Sequence, residues 1–301
     1  MSASSTSKTC ADDRSISVII VSFMTGPALM ESIRAVQRDP DIHELIVVDN
    51  GNAQADRPRL LEVASRTENV RILQGHGNVG FARGCNYGAA MASGHYLLFL
   101  NPDAVLEVGA ARQMADAGDR AQSPWITGGL LLNSSGEEQR GARRGALTIG
   151  SALNSFTALH RLPGLQSIHR ENLPLPSGPV PMPTISGASL MMDRASFDAV
   201  GGFDPAYFLH VEDIALCRAV RRKGGSVTFV PGARAMHYGS TSDIPRWRVE
   251  CHKLKGLLRY FWTAGPGLGV KVATILVAPL MAGALFARTL WLGVRKGIRG
   301  R

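Results

Sequence analysis

Three short apolar runs, each ending in polar residues and separated by amphipathic stretches, constrain this chain more than any other feature. They are SISVIIVSF (residues 15–23), ELIVVDN (44–50) and HYLLFLNPD (95–103). Each is continuously apolar rather than alternating, the pattern of strands buried on both faces of a parallel sheet. Between the first two, ALMESIRAVQRD (28–39) places apolar residues at helical spacing. RPRLLEVASRT (57–67) reads as a second helix and NVRILQ (69–74) as a further strand. This alternation predicts an α/β fold, a mostly parallel central sheet flanked by helices. Ligands of such sheets lie at the carboxyl ends of the strands, where Asp49 and Asp103 fall.

Composition excludes several classes of function. The 301 residues are 45% hydrophobic, enough for a sizeable core. Cys10, Cys85, Cys217 and Cys251 form no C-x-x-C pair, so the spacing predicts neither a disulfide framework nor a zinc site, and points to a reducing compartment. Residues 1–14 are polar without an apolar h-region, and are expected to be a disordered leader. The net charge of +9 is not spread evenly: eleven of the 33 Lys and Arg lie from Arg246 onward, with only Glu250 to oppose them. The preceding body holds 22 basic and 23 acidic residues, so nucleic acid is not an expected partner.

The expected organisation is a leader (1–14), a catalytic domain (15–244) with a variable insertion near 137–184, and a basic apolar tail (245–301). Within that tail, residues 272–294 are apolar except for Arg288, about the length needed to cross a bilayer core. Lys253, Lys255 and Arg259 precede the segment, and Arg295, Lys296, Arg299 and Arg301 follow it. Positive charge on both sides disfavours clean translocation of either end. Pro279 and the glycines count against one straight helix. The tail is therefore expected to lie in or re-enter the cytoplasmic leaflet, with an anionic membrane surface as partner. The alternative is a helix pair packed on the catalytic domain.

The stretch GHGNVGFARGCN (75–86) puts Gly75, Gly77 and Gly80 on the G-x-G-x-x-G spacing of dinucleotide-binding loops. Its position argues against that use, because two strand–helix units precede it, whereas the dinucleotide fingerprint belongs to the first strand of its unit. An NAD(P)-dependent oxidoreductase stays as an alternative.

Four other places could carry chemistry. In NPDA, Pro102 ends a strand and exposes Asp103, which could hold a divalent cation or cap a turn. In HVEDIALCRAVRRKGG (210–225), Glu212 and Asp213 open a helix, as a base or as acids that suit the helix dipole. His237, after a short strand, could be a ligand or a packed side chain. Gly187 could mark a close approach to substrate or a turn.

In order and spacing, the blocks SVIIVSF, LIVVDNGN, GNVGFARGCNYG, YLLFLNPDA, ISGASLMMDRASFDAVGGFD, FLHVEDIALCRAVRRKGG and VPGARAMHYGSTS resemble the inverting family 2 glycosyltransferases of GT-A fold, in particular the rhamnosyltransferase-like branch. The resemblance runs from Ser17 to about Ser242. It implies a nucleotide-sugar site at Ser22, Asp49, Asn78, Gly80, Arg83, Asn86 and Asn101, and an acceptor site at Gly187 and Ala188. Asp103 and His237 would hold Mg2+ or Mn2+ against the diphosphate, and Asp213 would be the general base with Glu212 beside it. Two positions depart from the pattern. Asn101-Pro102-Asp103 lacks the first carboxylate of the family's D-x-D motif, and Met24 stands where many members have Asn. The implied activity is inverting transfer of a sugar from a nucleotide-diphosphate sugar, dTDP-L-rhamnose being favoured, to a glycan or lipid-linked glycan at the cytoplasmic face of the inner membrane. A non-catalytic sugar-nucleotide-binding module is the other alternative.

Overall fold

The computed structural model describes residues 14–54, 56–156, 167–239, 241, 244–265 and 267–299, with side chains up to residue 287. Residues 1–13 of the leader expected over 1–14, and the side chains of Arg288 and the basic residues after it, lie outside what is described. The chain begins as strictly alternating elements: β1 (Ile16–Ser22), α1 (Pro27–Arg38), β2 (Ile42–Asp49), α2 (Arg57–Arg66), β3 (Val70–Leu73), α3 (Phe81–Met91) and β4 (Tyr96–Leu100). Next come β5 (Ala104–Leu106), α4 (Ala110–Asp119), β6 (Trp125–Leu132), β7 (Arg143–Arg144), α5 (Ile149–Phe156), β8 (Val180–Pro181) and β9 (Thr184–Ile185). The chain closes with β10 (Ser189–Asp193), α6 (Arg194–Val200), α7 (Glu212–Arg222), β11 (Ser226–His237), α8 (Arg246–Trp262) and α9 (Leu268–Arg299).

The main sheet runs β3-β2-β1-β4-β10-β6-β11-β5, with β8 added against β11. The pairs β1–β2, β1–β4, β2–β3 and β6–β11 are parallel, while β10 is antiparallel to both β4 and β6. Alternate residues of β1 and β2 enter opposite apolar clusters: Ile19, Val21, Ile46 and Val48 on one face, Val18, Ile20, Leu45 and Val47 on the other. Burial on both faces is why the strand sequences are continuously apolar. Register then aligns the functional edge. Ser22 pairs with Asp49 and Leu100 with Ser189, so Asn101, Asp103, Gly187 and Ala188 follow at the same margin. His237 joins them because it pairs with Ala104.

Two expectations about elements are corrected. The strand carrying His237 is not short: β11 has 12 residues and keeps its pairing with β6 across Pro231 and Gly232. A register shift between Val230 and Arg234 takes up those residues as a bulge, so a Pro-Gly pair that would end a regular strand only bends this one. Likewise α9 is one 32-residue helix through Pro279. Thr274, Met281 and Leu285 are buried and Val277 partly so, where α9 packs on α8 and α5. That packing carries the helix through a residue that costs it a backbone hydrogen bond.

The boundary expected after residue 244 does not separate two packing units. On α8, Leu257, Tyr260 and Phe261 belong to the same core cluster as the β1 face. Arg218 of α7 donates to Tyr260 O at 2.6 Å, and Arg259 pairs with Asp204 at 2.9 Å. The expected insertion, too, is tied to the domain, because its strand β8 pairs with β11 of the main sheet.

Candidate active site at the carboxyl edge of the sheet

At the end of β2, Gly51 N, Asn52 N and Asn52 Nδ2 all donate to Asp49 Oδ1, at 2.9, 2.8 and 2.9 Å. Its Oδ2 has no hydrogen-bond partner among the described residues. Ser22 is fully buried and donates to Asn52 Oδ1 at 2.8 Å, so it braces the Asp49 loop.

The glycine stretch follows β3, an edge strand, instead of the central strand that carries a dinucleotide loop. Its glycines serve the chain itself. Gly75, Gly77 and Gly80 all have positive φ. A Cβ on Gly80 would stand 2.6 Å from Phe208 O, the atom that accepts from Phe81 N at 2.7 Å. The other polar residues of the stretch are also bonded within the protein. Asn78 Oδ1 accepts from Gly80 N, Arg83 Nε donates to Pro205 O, and Asn86 exchanges two bonds with the Phe203 backbone, at 2.7 and 2.9 Å. Asn86 therefore ties α3 to the loop before α7.

Asp103 sits in the turn between β4 and β5 and is 5% exposed. Thr241 Oγ1 donates to its Oδ2 at 3.1 Å, and His237 Nε2 lies 3.1 Å from its Oδ1. Burial by itself would raise the pKa of this carboxyl, but a His237 imidazole carrying a proton on Nε2, together with Thr241, outweighs it and holds the group below its usual value. The histidine tautomer follows from Gln139. Its amide nitrogen donates to His237 O at 3.3 Å, which turns Oε1 toward His237 Nδ1 at 2.6 Å. With Nδ1–H donating there, Nε2 presents a lone pair, toward Asn101 Nδ2 at 3.1 Å and toward Asp103 Oδ1. Two acceptors face each other at this point, and either a second proton on the imidazole or a cation resolves the clash. A separation of 3.1 Å suits adjacent ligands of an octahedral cation bound at about 2.0–2.1 Å. The Gln139 bond is the kind of support that orients a ligating histidine. The residues present therefore fit a divalent metal ion that also takes oxygens from substrate and water.

The second carboxylate centre opens α7. Glu212 and Asp213 are in its first turn, yet both are buried, unlike solvated helix caps. Gly187 N donates to Asp213 Oδ2 at 2.9 Å and Ile214 N to Oδ1 at 2.7 Å, while Arg144 Nη2 forms an ion pair with Oδ2. Burial pushes the Asp213 pKa upward, but Arg144 and the two amides reverse that and keep it below the ordinary value. Glu212 goes the other way: burial and the neighbouring Asp213 charge push it up to about 8, and its Oε2 has no hydrogen-bond partner among the described residues. The pair is thus split into an ionised Asp213 and a protonated Glu212 near neutral pH. Gly187 makes its close approach to Asp213, whose Cβ would be 3.1 Å from an added Cβ. Ala188 is buried with its carbonyl bonded to Asn101 N at 2.9 Å, which makes it part of the frame. Asn101 so connects the two centres, through its side chain to His237 and through its amide to the Ala188–Gly187 segment under Asp213.

The Glycosyl transferase family 2 model matches residues 17–199, more than half of the chain. This chain belongs to that family. The glycosyltransferase is 24% identical over 253 residues to the N-acetylglucosaminyl-diphospho-decaprenol L-rhamnosyltransferase of Mycobacterium tuberculosis H37Rv, covering 78% of this chain and 80% of the relative. It is 23% identical over 230 residues to the rhamnosyltransferase WbbL of Escherichia coli K12, covering 73% and 82%. Among solved structures, GalNAc-T7 with UDP, GalNAc and Mn2+ superposes with a TM-score of 0.61 at 16% identity, over 83% of this chain and 48% of that one. Staphylococcus aureus TarS 1–349 gives 0.52 at 12% identity, over 88% and 80%. The fold of this glycosyltransferase is accordingly GT-A, as the resemblance of its sequence blocks implied.

Four residues of the site are absent from the expectations: Arg144, Gln139, Asn52 and Thr241. Arg144, Gln139 and Thr241 reach the edge through contacts far apart in the chain, whereas Asn52 bonds Asp49 from three residues away. Asn52 and Thr241 lie inside the blocks LIVVDNGN and VPGARAMHYGSTS, and Arg144 in the RGARR cluster at 140–144, where nothing local distinguishes the aimed arginine from its neighbours.

Proposed function

We propose that this glycosyltransferase moves a sugar, with inversion, from a nucleotide-diphosphate sugar to a glycan or lipid-linked glycan, dTDP-L-rhamnose being the favoured donor. The observation that carries the reading is the split carboxyl pair. An ionised, hydrogen-bonded Asp213 stands on the same sheet edge as the Asp103–His237 pair. A single displacement needs one base and no enzyme nucleophile. Asp49 Oδ2 is available to the nucleoside, and Asp103 with His237 Nε2 would hold Mg2+ or Mn2+. That ion would supply neutralisation of the charge gathering on the departing diphosphate. The proton of the acceptor hydroxyl passes to Asp213 as its oxygen bonds the anomeric carbon. The rhamnosyl donor is supported by the names of the two bacterial relatives, the lipid-linked acceptor by that of the mycobacterial one, and the metal by the Mn2+ in the GalNAc-T7 structure.

A membrane-associated position at the cytoplasmic face suits a lipid-linked acceptor, and α9 has the surface for it. Leu268–Ala287 has a mean hydropathy of 2.0, and most of it is exposed. Leu268, Val272, Ile275, Leu276 and Phe286 are exposed on the side opposite Thr274, Val277, Met281 and Leu285. One face packs on the domain while the other faces outward. This favours a helix lying on anionic lipid over one that spans it.

A thermal-shift panel of dTDP-, UDP- and GDP-sugars with and without Mn2+ tests the donor, followed by a transfer assay. The expected result is a metal-dependent shift with a dTDP-sugar, and turnover onto a lipid-diphosphate acceptor. Binding without turnover would favour the non-catalytic module.

A further inference from the structure

Adjacent arginines on a strand point to opposite sides, and Arg143 and Arg144 of β7 do so with different consequences. Arg143 bonds within the insertion, to both oxygens of Glu138 at 2.7 and 2.6 Å and to Leu173 O at 2.9 Å. Arg144 is turned toward the sheet edge, where Nη2 donates to Ile185 O at 2.7 Å and pairs with Asp213 Oδ2. Its side chain is only 13% exposed, and Asp213's 12%. Pairing of Arg144 with Thr184 across β7 and β9 sets this aim.

An ionised carboxylate offers about four acceptor positions, two on each oxygen. Arg144 and Gly187 N occupy those of Oδ2, and Ile214 N takes one on Oδ1. One position on Oδ1 is left. We propose that Arg144, delivered by the insertion, is the positioning residue of the transfer: it pins Oδ2 so that Oδ1 alone is offered to the acceptor hydroxyl. This rests on the glycosyltransferase reading above. In the step it serves, the hydroxyl proton moves to Oδ1, the hydroxyl oxygen bonds the anomeric carbon, and the carbon–oxygen bond to the nucleoside diphosphate breaks with its electron pair leaving on the diphosphate. The insertion is thereby part of the active site.

The charged and titratable groups around Asp213 are Arg144 from β7, Glu212 and Cys217 on α7 and His210 just before it. Among them Arg144 is the group that most strongly favours the Asp213 carboxylate, by charge and by hydrogen bond. Removing it raises the Asp213 pKa, so the acidic limb of the rate profile moves to higher pH. The experiment measures kcat/KM against pH for wild type, Arg144→Gln and Arg144→Lys, with thermal unfolding of each. In parallel, the Asp213 carboxyl carbon is titrated by 13C NMR. For Arg144→Gln we expect both the limb and the titration to move up by about one to three pH units, the range for an opposite charge at this distance. Arg144→Lys, which keeps the charge but has a shorter and differently directed head than the Nη2 that bonds both Ile185 O and Asp213 Oδ2, should titrate closer to wild type with a reduced kcat. An unmoved titration midpoint in Arg144→Gln overturns the proposal, as does a loss confined to KM. If Arg144→Gln does not fold, the Lys variant decides: a wild-type kcat there overturns it. A wild type that transfers no sugar defeats the glycosyltransferase reading instead, and the NMR titration still reports on the ion pair.

Discussion

Asp213 accepts one hydrogen bond from a side chain and two from backbone amides, and that pattern fixes what substitutions at single residues should do. Asp213→Asn keeps the shape but places an NH2 against the donors of Arg144, Gly187 or Ile214. We expect turnover to fall at least about a hundredfold, as for loss of a general base, with donor affinity close to wild type by calorimetry. Near-normal turnover would reduce Asp213 to a helix cap. Asp103→Ala should abolish the Mn2+-dependent part of the donor thermal shift and leave any metal-independent part; full wild-type activity in excess EDTA would remove the metal role. Gly80 shows how a residue's role changes once its neighbours are known. The sequence alone suggests a glycine cleared for a ligand, whereas the tight approach is to Phe208 O. Gly80→Val, at φ +85° and against a carbonyl, should therefore destabilise the fold by about 2 kcal/mol or more, roughly 4–8 °C in Tm, besides any loss of donor affinity. An unchanged Tm would mean that the 208–211 segment yields without cost. Saturable NADH binding by the wild type would revive the oxidoreductase alternative.

At the scale of the element, the start of α7 is where the chain departs furthest from relaxed geometry. His210 and Val211 precede it with φ of +66° and +73°, a conformation that a β-branched residue rarely adopts. The segment is held from outside: Gly256 of α8 comes so close that a Cβ there would lie 3.1 Å from His210 O, and Phe208 stacks on His252 at 4.5 Å. This clamp buries Glu212 beside Asp213, and a pH dependence follows. Glu212 has a folded pKa of about 8 against an ordinary 4.5, so between those values the native state holds a proton that the unfolded chain has lost. Its contribution to stability is thus greatest at low pH and declines as pH rises from about 5 to about 8. Glu212→Gln should flatten that decline, and Tm measured from pH 5 to 8.5 on both proteins checks it. Parallel slopes would show that Glu212 ionises normally.

Across the whole molecule, α8 joins the apolar helix α9 to the site, with its core residues under α7 and its partner α9 outside. Cutting the chain after Ser242 would remove part of the core, so point changes on the outer face of α9 are the appropriate probe. Ile275→Glu with Leu276→Glu should leave Tm unaltered and abolish flotation with phosphatidylglycerol vesicles at low salt. Wild type should float there and be released in part by high salt. Wild-type protein that stays unbound to such vesicles would leave α9 as a packing helix only.

The continuous apolar runs determined the parallel sheet, because burial on both faces demands that pattern, and strand ends located Asp49 and Asp103. The helix at 212–222 was equally legible, from its spacing and the glycine after it. Local sequence could not separate a capping acid from a base, since both belong in a first turn. Tertiary structure buries both carboxyls and supplies a cation to only one, the arrangement on which the proposed base role of Asp213 rests. Arg144, Gln139 and Thr241 reach the site across 69, 98 and 138 positions of chain, through strand pairing that no local pattern encodes. The same reason applies to β11 and α9. Proline carries a local cost that sequence reveals, while the neighbouring strand or helix that outweighs it is brought there only by the fold.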